Sequence, residues 1–241
     1  MSNSNDILII PDVHGRTFWK DAVSHEAFGT IIFLGDYVDP YPRDGITNEQ
    51  ALGNFFEIID YGKMHDNVVM LLGNHDMHYY SELFAKSGKS SRYWQDGSFL
   101  LGAMFARNQS LFSLAYETTL NGHNYLFTHA GVCGAWLDAN HEIISKPDAE
   151  HLNHFLDCGE GLMALAQVSK KRGGLFNAGS IVWSDVDEIL TDNGLPLVYQ
   201  IFGHTQQRET PIINKQMACL DVRRPFVLRE GQPGIEPVEY A

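Results

Sequence analysis

Short, wholly apolar runs recur along the chain, and each stops at a glycine or proline followed by polar residues. Ile7-Leu8-Ile9-Ile10 gives way to Pro11-Asp12-Val13-His14-Gly15, and Ile31-Ile32-Phe33-Leu34 to Gly35-Asp36-Tyr37-Val38-Asp39. Val68-Val69-Met70-Leu71-Leu72 gives way to Gly73-Asn74-His75-Asp76. Such runs, β-branched and without helical period, predict strands buried on both faces. Between them the period changes. Phe18, Trp19, Ala22 and Val23 predict a short helix, and Leu52, Phe55, Phe56 and Ile59 form the apolar stripe of a longer one. Thr47-Asn48-Glu49-Gln50 is a capping box that starts the longer helix, with Thr47 as N-cap and Gln50 reaching back. Strand, crossover helix and strand in succession imply a largely parallel, layered sheet.

Further along, the pattern is less regular. Residues 78–109 are rich in Tyr, Phe, Ser and Gly, with Arg92, Trp94 and Arg107 interspersed, and predict a partly helical excursion over the edge where the strands end. Tyr125-Leu126-Phe127-Thr128 resumes the strand pattern and ends in His129-Ala130-Gly131. A second variable stretch, 136–179, holds expected helices over 149–155 and 162–168. A strand over 197–202 ends in Gly203-His204-Thr205, and 217–222 and 225–228 are expected to be closing strands. Without a repeat, low-complexity tract or linker, residues 1–241 are expected to form a single domain carrying the two excursions.

Composition narrows the class. With 44% hydrophobic and 20% charged residues, the 241-residue chain is that of an ordinary soluble globular protein. Met1 to Asp6 carry no basic n-region, and the apolar run behind them is too short for a signal peptide or a membrane span. A cytoplasmic protein with no membrane partner is expected. Cys133, Cys158 and Cys219 are widely spaced and in no C-x-x-C pair, which predicts reduced, mostly buried thiols. A net charge of −13 argues against general nucleic-acid binding, which needs clustered Lys and Arg. A solvated acidic surface accounts for most of that excess, and bound dications would neutralise part of it.

The candidate chemistry lies at the strand ends, where open α/β sheets bind ligands. Asp36 would enter the cleft as an acceptor-only carboxylate, suited to bridge two divalent cations. Asp12 and His14, two apart, point the same way in extended chain and can reach one cation together. Asn74, His129 and His204 arrive at other strand ends. Mixed imidazole and carboxylate ligands suit Mn, Fe or Zn better than Mg or Ca. Two such ions sharing a carboxylate and a water clamp a phosphoryl group and make hydroxide available near neutral pH. Taken singly, each residue is equally a buried polar group satisfied by hydrogen bonds; their recurrence at one end of successive strands favours the metal centre. His78 is expected to cap or pack the next element, and His25, His65, His123, His141, His151 and His154 to be surface or structural. Trp94, Tyr79 and Tyr80 are expected to be packing rather than a nucleobase platform, and Lys170-Lys171-Arg172 a solvated helix end.

In order, Asp12-Val13-His14-Gly15, Gly35-Asp36-Tyr37-Val38-Asp39, Gly73-Asn74-His75-Asp76, Thr128-His129-Ala130-Gly131 and Gly203-His204-Thr205 resemble the five motifs of the calcineurin-like metallophosphoesterases. Trp183-Ser184-Asp185 is similar to a segment of the protein-phosphatase branch. The resemblance implies a four-layer α/β/β/α sandwich and a phosphoesterase with two divalent metal ions, Mn foremost and Fe or Zn as alternatives. It implies that Asp12 and His14 hold the first metal, that Asp36 bridges, and that Asn74, His129 and His204 complete the second site. His75 would protonate or stabilise the leaving alkoxide, with Asp39 orienting it, while a bridging hydroxide attacks phosphorus in line. The implied partner is a phosphorylated small molecule, nucleotide or phosphoprotein. A phosphomonoester is expected; the alternatives are a diester or dinucleoside polyphosphate on the same site, or a non-catalytic metal-binding module.

Three departures qualify the match. Pro11 replaces the usual glycine before the first Asp, without touching a ligand. Pro40-Tyr41 stands where the phosphatase branch carries Arg-Gly, so the substrate-clamping arginine is missing from its place, and Arg43 and Arg107 are candidates to substitute. Gln206 replaces the last histidine of the G-H-x-H found in nuclease and phosphodiesterase branches. That favours the protein-phosphatase and dinucleoside-tetraphosphatase side.

Overall fold

The computed structural model describes residues 5–87 and 89–239. Strand β1 (Ile7–Ile10) and strand β2 (Thr30–Phe33) pair in parallel across helix α1 (Phe18–His25). Helix α2 (Asn48–Met64) then crosses to β3 (Val68–Leu71), parallel to β2. The expected capping box starts α2: the Gln50 N–H donates to Thr47 Oγ1 at 3.2 Å, and the Thr47 N–H to Gln50 Oε1 at 2.8 Å.

Helices α3 (Asn74–Tyr80), α4 (Glu82–Lys86) and α5 (Ser98–Arg107) make up much of the first excursion and lead to β4 (Phe112–Ser113). The hairpin of β5 (Ala115–Leu120) and β6 (His123–Thr128) turns at Asn121 and Gly122, with φ of 52° and 75°. Helices α6 (Gly134–Ala139), α7 (Ala149–Asn153), α8 (Gly159–Leu165) and α9 (Val186–Thr191) precede β7 (Tyr199–Phe202). Strands β8 (Ile212–Ile213), β9 (Met217–Cys219), β10 (Phe226–Leu228) and β11 (Ile235–Pro237) follow.

Several boundaries differ from expectation: the strand expected over 197–202 begins at Tyr199, and the helix expected over 149–155 ends at Asn153. The helix expected over 162–168 begins at Gly159, where Cys158 Sγ accepts the Gly161 N–H at 3.3 Å, and ends at Leu165. The strand expected over 217–222 stops at Cys219, because the chain there leaves one sheet for the other. All three cysteines are free thiols; Cys133 and Cys219 are buried and Cys158 is exposed.

The strands form two sheets, ordered β11-β10-β1-β2-β3-β4 and β5-β6-β7-β9-β8. Alternation along each strand sorts the core. Ile7, Ile9, Ile32, Leu34 and Leu71 meet Phe127, Ile201 and Ala218 between the sheets. Leu8, Ile10, Ile31 and Phe33 point the other way, into a second cluster with Trp19, Phe55 and Ile58 of the helices. Burial on both faces explains the uninterrupted apolar runs, and the layering is that of an α/β/β/α sandwich. Parallel strands β1, β2 and β3 of one sheet, and β6, β7 and β9 of the other, finish at a common edge. Hydrogen bonds between their trailing loops join the two sheets there.

Candidate metal centre

Asp12, His14, Asp36, Asn74, His129 and His204 leave those strand ends and converge, each of them buried. His14, Asp36 and His204 adopt left-handed backbone, with φ of 45°, 54° and 61°, as does Asp39 at 56°. The sharp turns aim their side chains back over the edge, at a cost of about 1–3 kcal/mol each for non-glycine residues. Glycines make the convergence sterically feasible. A Cβ on Gly73 would sit 2.1 Å from Asp36 Oδ1, and one on Gly203 2.1 Å from Asp12 Oδ1.

Backbone carbonyls set the tautomers. His14 Nδ1 donates to Val38 O at 2.9 Å and His129 Nδ1 to Leu34 O at 2.8 Å, so in each neutral ring Nε2 carries a lone pair. His14 Nε2 lies 3.4 Å from Asp36 Oδ2 and 4.0 Å from Asp12 Oδ2. His129 Nε2 lies 3.1 Å from Asn74 Oδ1, 3.1 Å from His204 Nδ1 and 3.6 Å from Asp36 Oδ2. Ligand atoms of His14, Asp36 and His75 fall within 4.8 Å of one another, and so do those of Asp36, His129 and His204. Asp36 is common to both groups.

Lone pairs of His129, Asn74 and Asp36 thus face one another with no proton to share, a repulsive arrangement that a cation relieves. Asp221, just past β9, adds to it: the carboxylate is buried, and neither oxygen has a hydrogen-bond partner among the described residues. These donors fit divalent metal ions of the Mn, Fe or Zn type.

Electrostatics agree. Burial pushes the His14 and His204 pKa well down, keeping both rings neutral with a lone pair to offer. For Asp36, burial acts upward, while positive charge on the surrounding imidazoles, His129 first, acts downward more strongly and holds the carboxyl well below its usual range whenever those rings are protonated. Burial raises Asp12 and Asp221, and a neighbouring carboxylate raises each further: Asp36 for Asp12, and Asp12 for Asp221.

Beside the cluster, His75 Nδ1 donates to Asp39 Oδ2 at 2.7 Å. Asp39 Oδ1 accepts the Tyr79 hydroxyl, whose oxygen in turn accepts the Trp94 N–H at 2.7 Å. The imidazole is therefore held through a chain of fixed groups, which leaves Nε2 as its other ring nitrogen.

The sequence profile of the calcineurin-like phosphoesterases matches residues 6–208. The chain belongs to that family. This phosphoesterase is thus a phosphate-ester hydrolase of a family that uses divalent metals. Similar solved structures include a metallophosphoesterase from Sphaerobacter thermophilus, 14% identical, with a TM-score of 0.44 over 99% of this chain and 89% of that one. Another is a protein from Staphylococcus aureus assigned as a 5'-nucleotidase, in complex with alpha-ketoglutarate. It is 12% identical with a TM-score of 0.39 over 97% of this chain, which spans only 52% of that chain. Among curated proteins none matches.

The arginines of the phosphoesterase differ in their surroundings. Arg43 is tied to the side chain of Gln206 and lies 4.8 Å from the Tyr41 ring. Arg107 is exposed in the last turn of α5. Arg92, from the loop between α4 and α5, reaches His75 instead: its Nη2 donates to His75 Nε2 at 2.8 Å. Arg172, expected on a solvated helix end, is part-buried and bonds Thr205 Oγ1 at 2.6 Å and Asp185 Oδ2 at 3.0 Å.

Asp76 has a part that its motif did not reveal. Its Oδ2 accepts the N–H groups of Asp36 (2.7 Å) and Gly73 (2.9 Å), and its Oδ1 that of Tyr37 (2.9 Å), clasping the loops after β2 and β3 together. The available signal was its position three residues past the helix-capping Gly73. Tyr79 is packing, as expected, stacked on Tyr93 at 4.7 Å, but it also fixes Asp39. No helix among the described residues is long and apolar enough to cross a membrane.

His78 packs against Phe84, Tyr93 and Trp183, and its Nε2 accepts the Ser90 N–H at 3.3 Å, anchoring the loop that carries Arg92. Burial, then nearby His75, pushes its pKa down to about 4. The unfolded chain, with an ordinary histidine near 6.5, therefore binds more protons between those values. Stability from this group is complete above that range and is lost as pH falls through it. Denaturant unfolding of metal-free protein is expected to lose about 2 kcal/mol from His78 between pH 7 and pH 5. His78→Gln should remove that portion of the slope; identical slopes would mean His78 titrates normally.

Proposed function

We propose that this phosphoesterase is a dinuclear phosphomonoesterase, its first ion held by Asp12, His14 and Asp36 and its second by Asp36, Asn74, His129 and His204. The observation that carries this reading is the shared Asp36 Oδ2 between two groups of converging lone pairs, set beside the His75–Asp39 pair. Bound there, two divalent ions, Mn in our assignment, would neutralise phosphoryl oxygens and activate the attacking water. His75 is assigned the proton: Asp39 fixes Nδ1, so Nε2 is the atom that meets the leaving oxygen. The buried walls exclude bulk water. Arg92 in front of His75 supports a monoester, because a terminal dianionic phosphoryl group gains more from a guanidinium than a diester does.

Residues 1–241 act in this reading as one cytoplasmic domain, with the stretches around 78–109 and 136–179 choosing among small phosphorylated molecules, nucleotides and phosphoproteins. Metal-stripped protein resupplied with Mn should hydrolyse p-nitrophenyl phosphate faster than bis-p-nitrophenyl phosphate. His75→Asn should lower kcat by about 10²–10⁴-fold on an alkyl monoester, whose leaving oxygen needs a proton, and by less on the nitrophenyl ester. Preference for the bis-ester would move the function to diesters or dinucleoside polyphosphates. Metal binding without turnover of any ester would leave a non-catalytic binding module.

A further inference from the structure

The place of the phosphatase branch's arginine is filled here by Pro40-Tyr41, and the Tyr41 ring gathers guanidinium groups. Arg92 lies 3.7 Å from its centroid, Arg43 4.8 Å and Arg16 5.4 Å, while His14 meets the ring edge-on at 4.8 Å. The three arginines are not equivalent. Arg16 places two nitrogens 2.8 Å from Asp44 Oδ2 and donates a third N–H to Asp12 O, so its charge is already matched. Arg43 is bound to Gln206 at the exposed rim.

Arg92 is half-buried, and its partners are the Asp39 carbonyl, the His75 ring and the Tyr41 face; its Nη1 also lies 3.4 Å from His14 Nδ1. Among the described residues no carboxylate forms an ion pair with it. A guanidinium held by neutral groups, beside donors that fit two dications, is matched to an incoming anion.

We infer that Arg92 binds the substrate's phosphoryl group in place of the missing motif arginine, and that Tyr41 is the residue that positions it. The inference rests on the phosphomonoesterase reading and specifies how that site holds its substrate. The fork of Nη1 and Nη2 matches two phosphoryl oxygens. Without substrate, one of those N–H groups caps His75 Nε2, the atom assigned the proton. A phosphoryl group that takes the fork frees Nε2, so substrate binding and readiness of His75 are coupled.

Calorimetric titration of metal-loaded protein with inorganic phosphate, alongside kinetics on phenyl phosphate, tests this. Arg92→Ala should weaken phosphate binding by about 10–100-fold and raise KM more than it lowers kcat, with metal content unchanged. Arg92→Lys, which keeps the charge but not the fork, should fall between, and it serves if the alanine variant folds poorly. Tyr41→Ala should weaken phosphate about tenfold, Tyr41→Phe should restore it, and Tyr41→Ala with Arg92→Ala should be no worse than Arg92→Ala alone. Phosphate binding unaffected by Arg92→Ala, or losses that multiply in the double variant, would overturn the inference. Arg92-dependent phosphate binding without monoester turnover would retain it and sink the phosphomonoesterase reading instead.

Discussion

On the proposed dinuclear reading, Asp36→Asn is expected to lower turnover about a thousandfold or more, a loss of roughly 4 kcal/mol in transition-state stabilisation, and to abolish the stabilisation expected when Mn is added to the wild-type protein. Asp36 Oδ2 is the atom that lies 3.4 Å from His14 Nε2 and 3.6 Å from His129 Nε2, so no other ligand can take its place between the two groups. An amide in that position turns an N–H toward an imidazole lone pair. It thereby satisfies without metal what the carboxylate satisfies only with it. The variant should therefore fold at least as well as the stripped wild type while losing metal. Metal content, melting temperature with and without Mn, and kcat on p-nitrophenyl phosphate are the measurements. Two ions bound and turnover within tenfold of wild type would remove Asp36 from the bridging role.

The second large effect is on folding. Asp76→Ala leaves the N–H groups of Asp36, Tyr37 and Gly73 buried without their acceptor, and is expected to cost about 3–5 kcal/mol. For a chain of this size that corresponds to a fall in melting temperature of about 10–15 °C. Asp76→Asn, which keeps the shape and one acceptor oxygen, should lose about half as much. The carboxyl is itself strained electrostatically, since burial, then the adjacent Asp36, raises its pKa well above the usual range against the pull of the three N–H donors. Thermal unfolding of the metal-free proteins is decisive; Asp76→Ala within about 1 kcal/mol of wild type would mean that other contacts hold the loops.

Much of this was legible because a strand buried on both faces excludes polar side chains until it leaves the sheet. Asp12, Asp36, Asn74, His129 and His204 therefore stand out at the ends of apolar runs. The Thr47 capping box is equally local. Strand β5 was missed because only its two end residues, Ala115 and Leu120, are buried, although Asn121-Gly122 was the available hairpin signal. The meeting of Arg92 with Tyr41 and His75 was out of reach for a different reason: it depends on the path of the loop between α4 and α5, which no local period encodes. Arg43 and Arg107 were named because a charge was needed, and charge alone does not say where a side chain goes. Asp76 sat in plain view inside a motif, but an acceptor for three backbone groups from two loops is a tertiary fact.

The left-handed backbone at His14, Asp36, Asp39 and His204 bears on how such a protein would drift over generations. At each of these positions glycine is the residue that the backbone itself prefers, and a glycine there would relax the turn while deleting a group on which the proposed chemistry depends. Selection for stability alone would thus erode the site while leaving the sandwich intact. Inert descendants of the same fold lie one substitution away, and only continued demand for hydrolysis keeps the ligands in place.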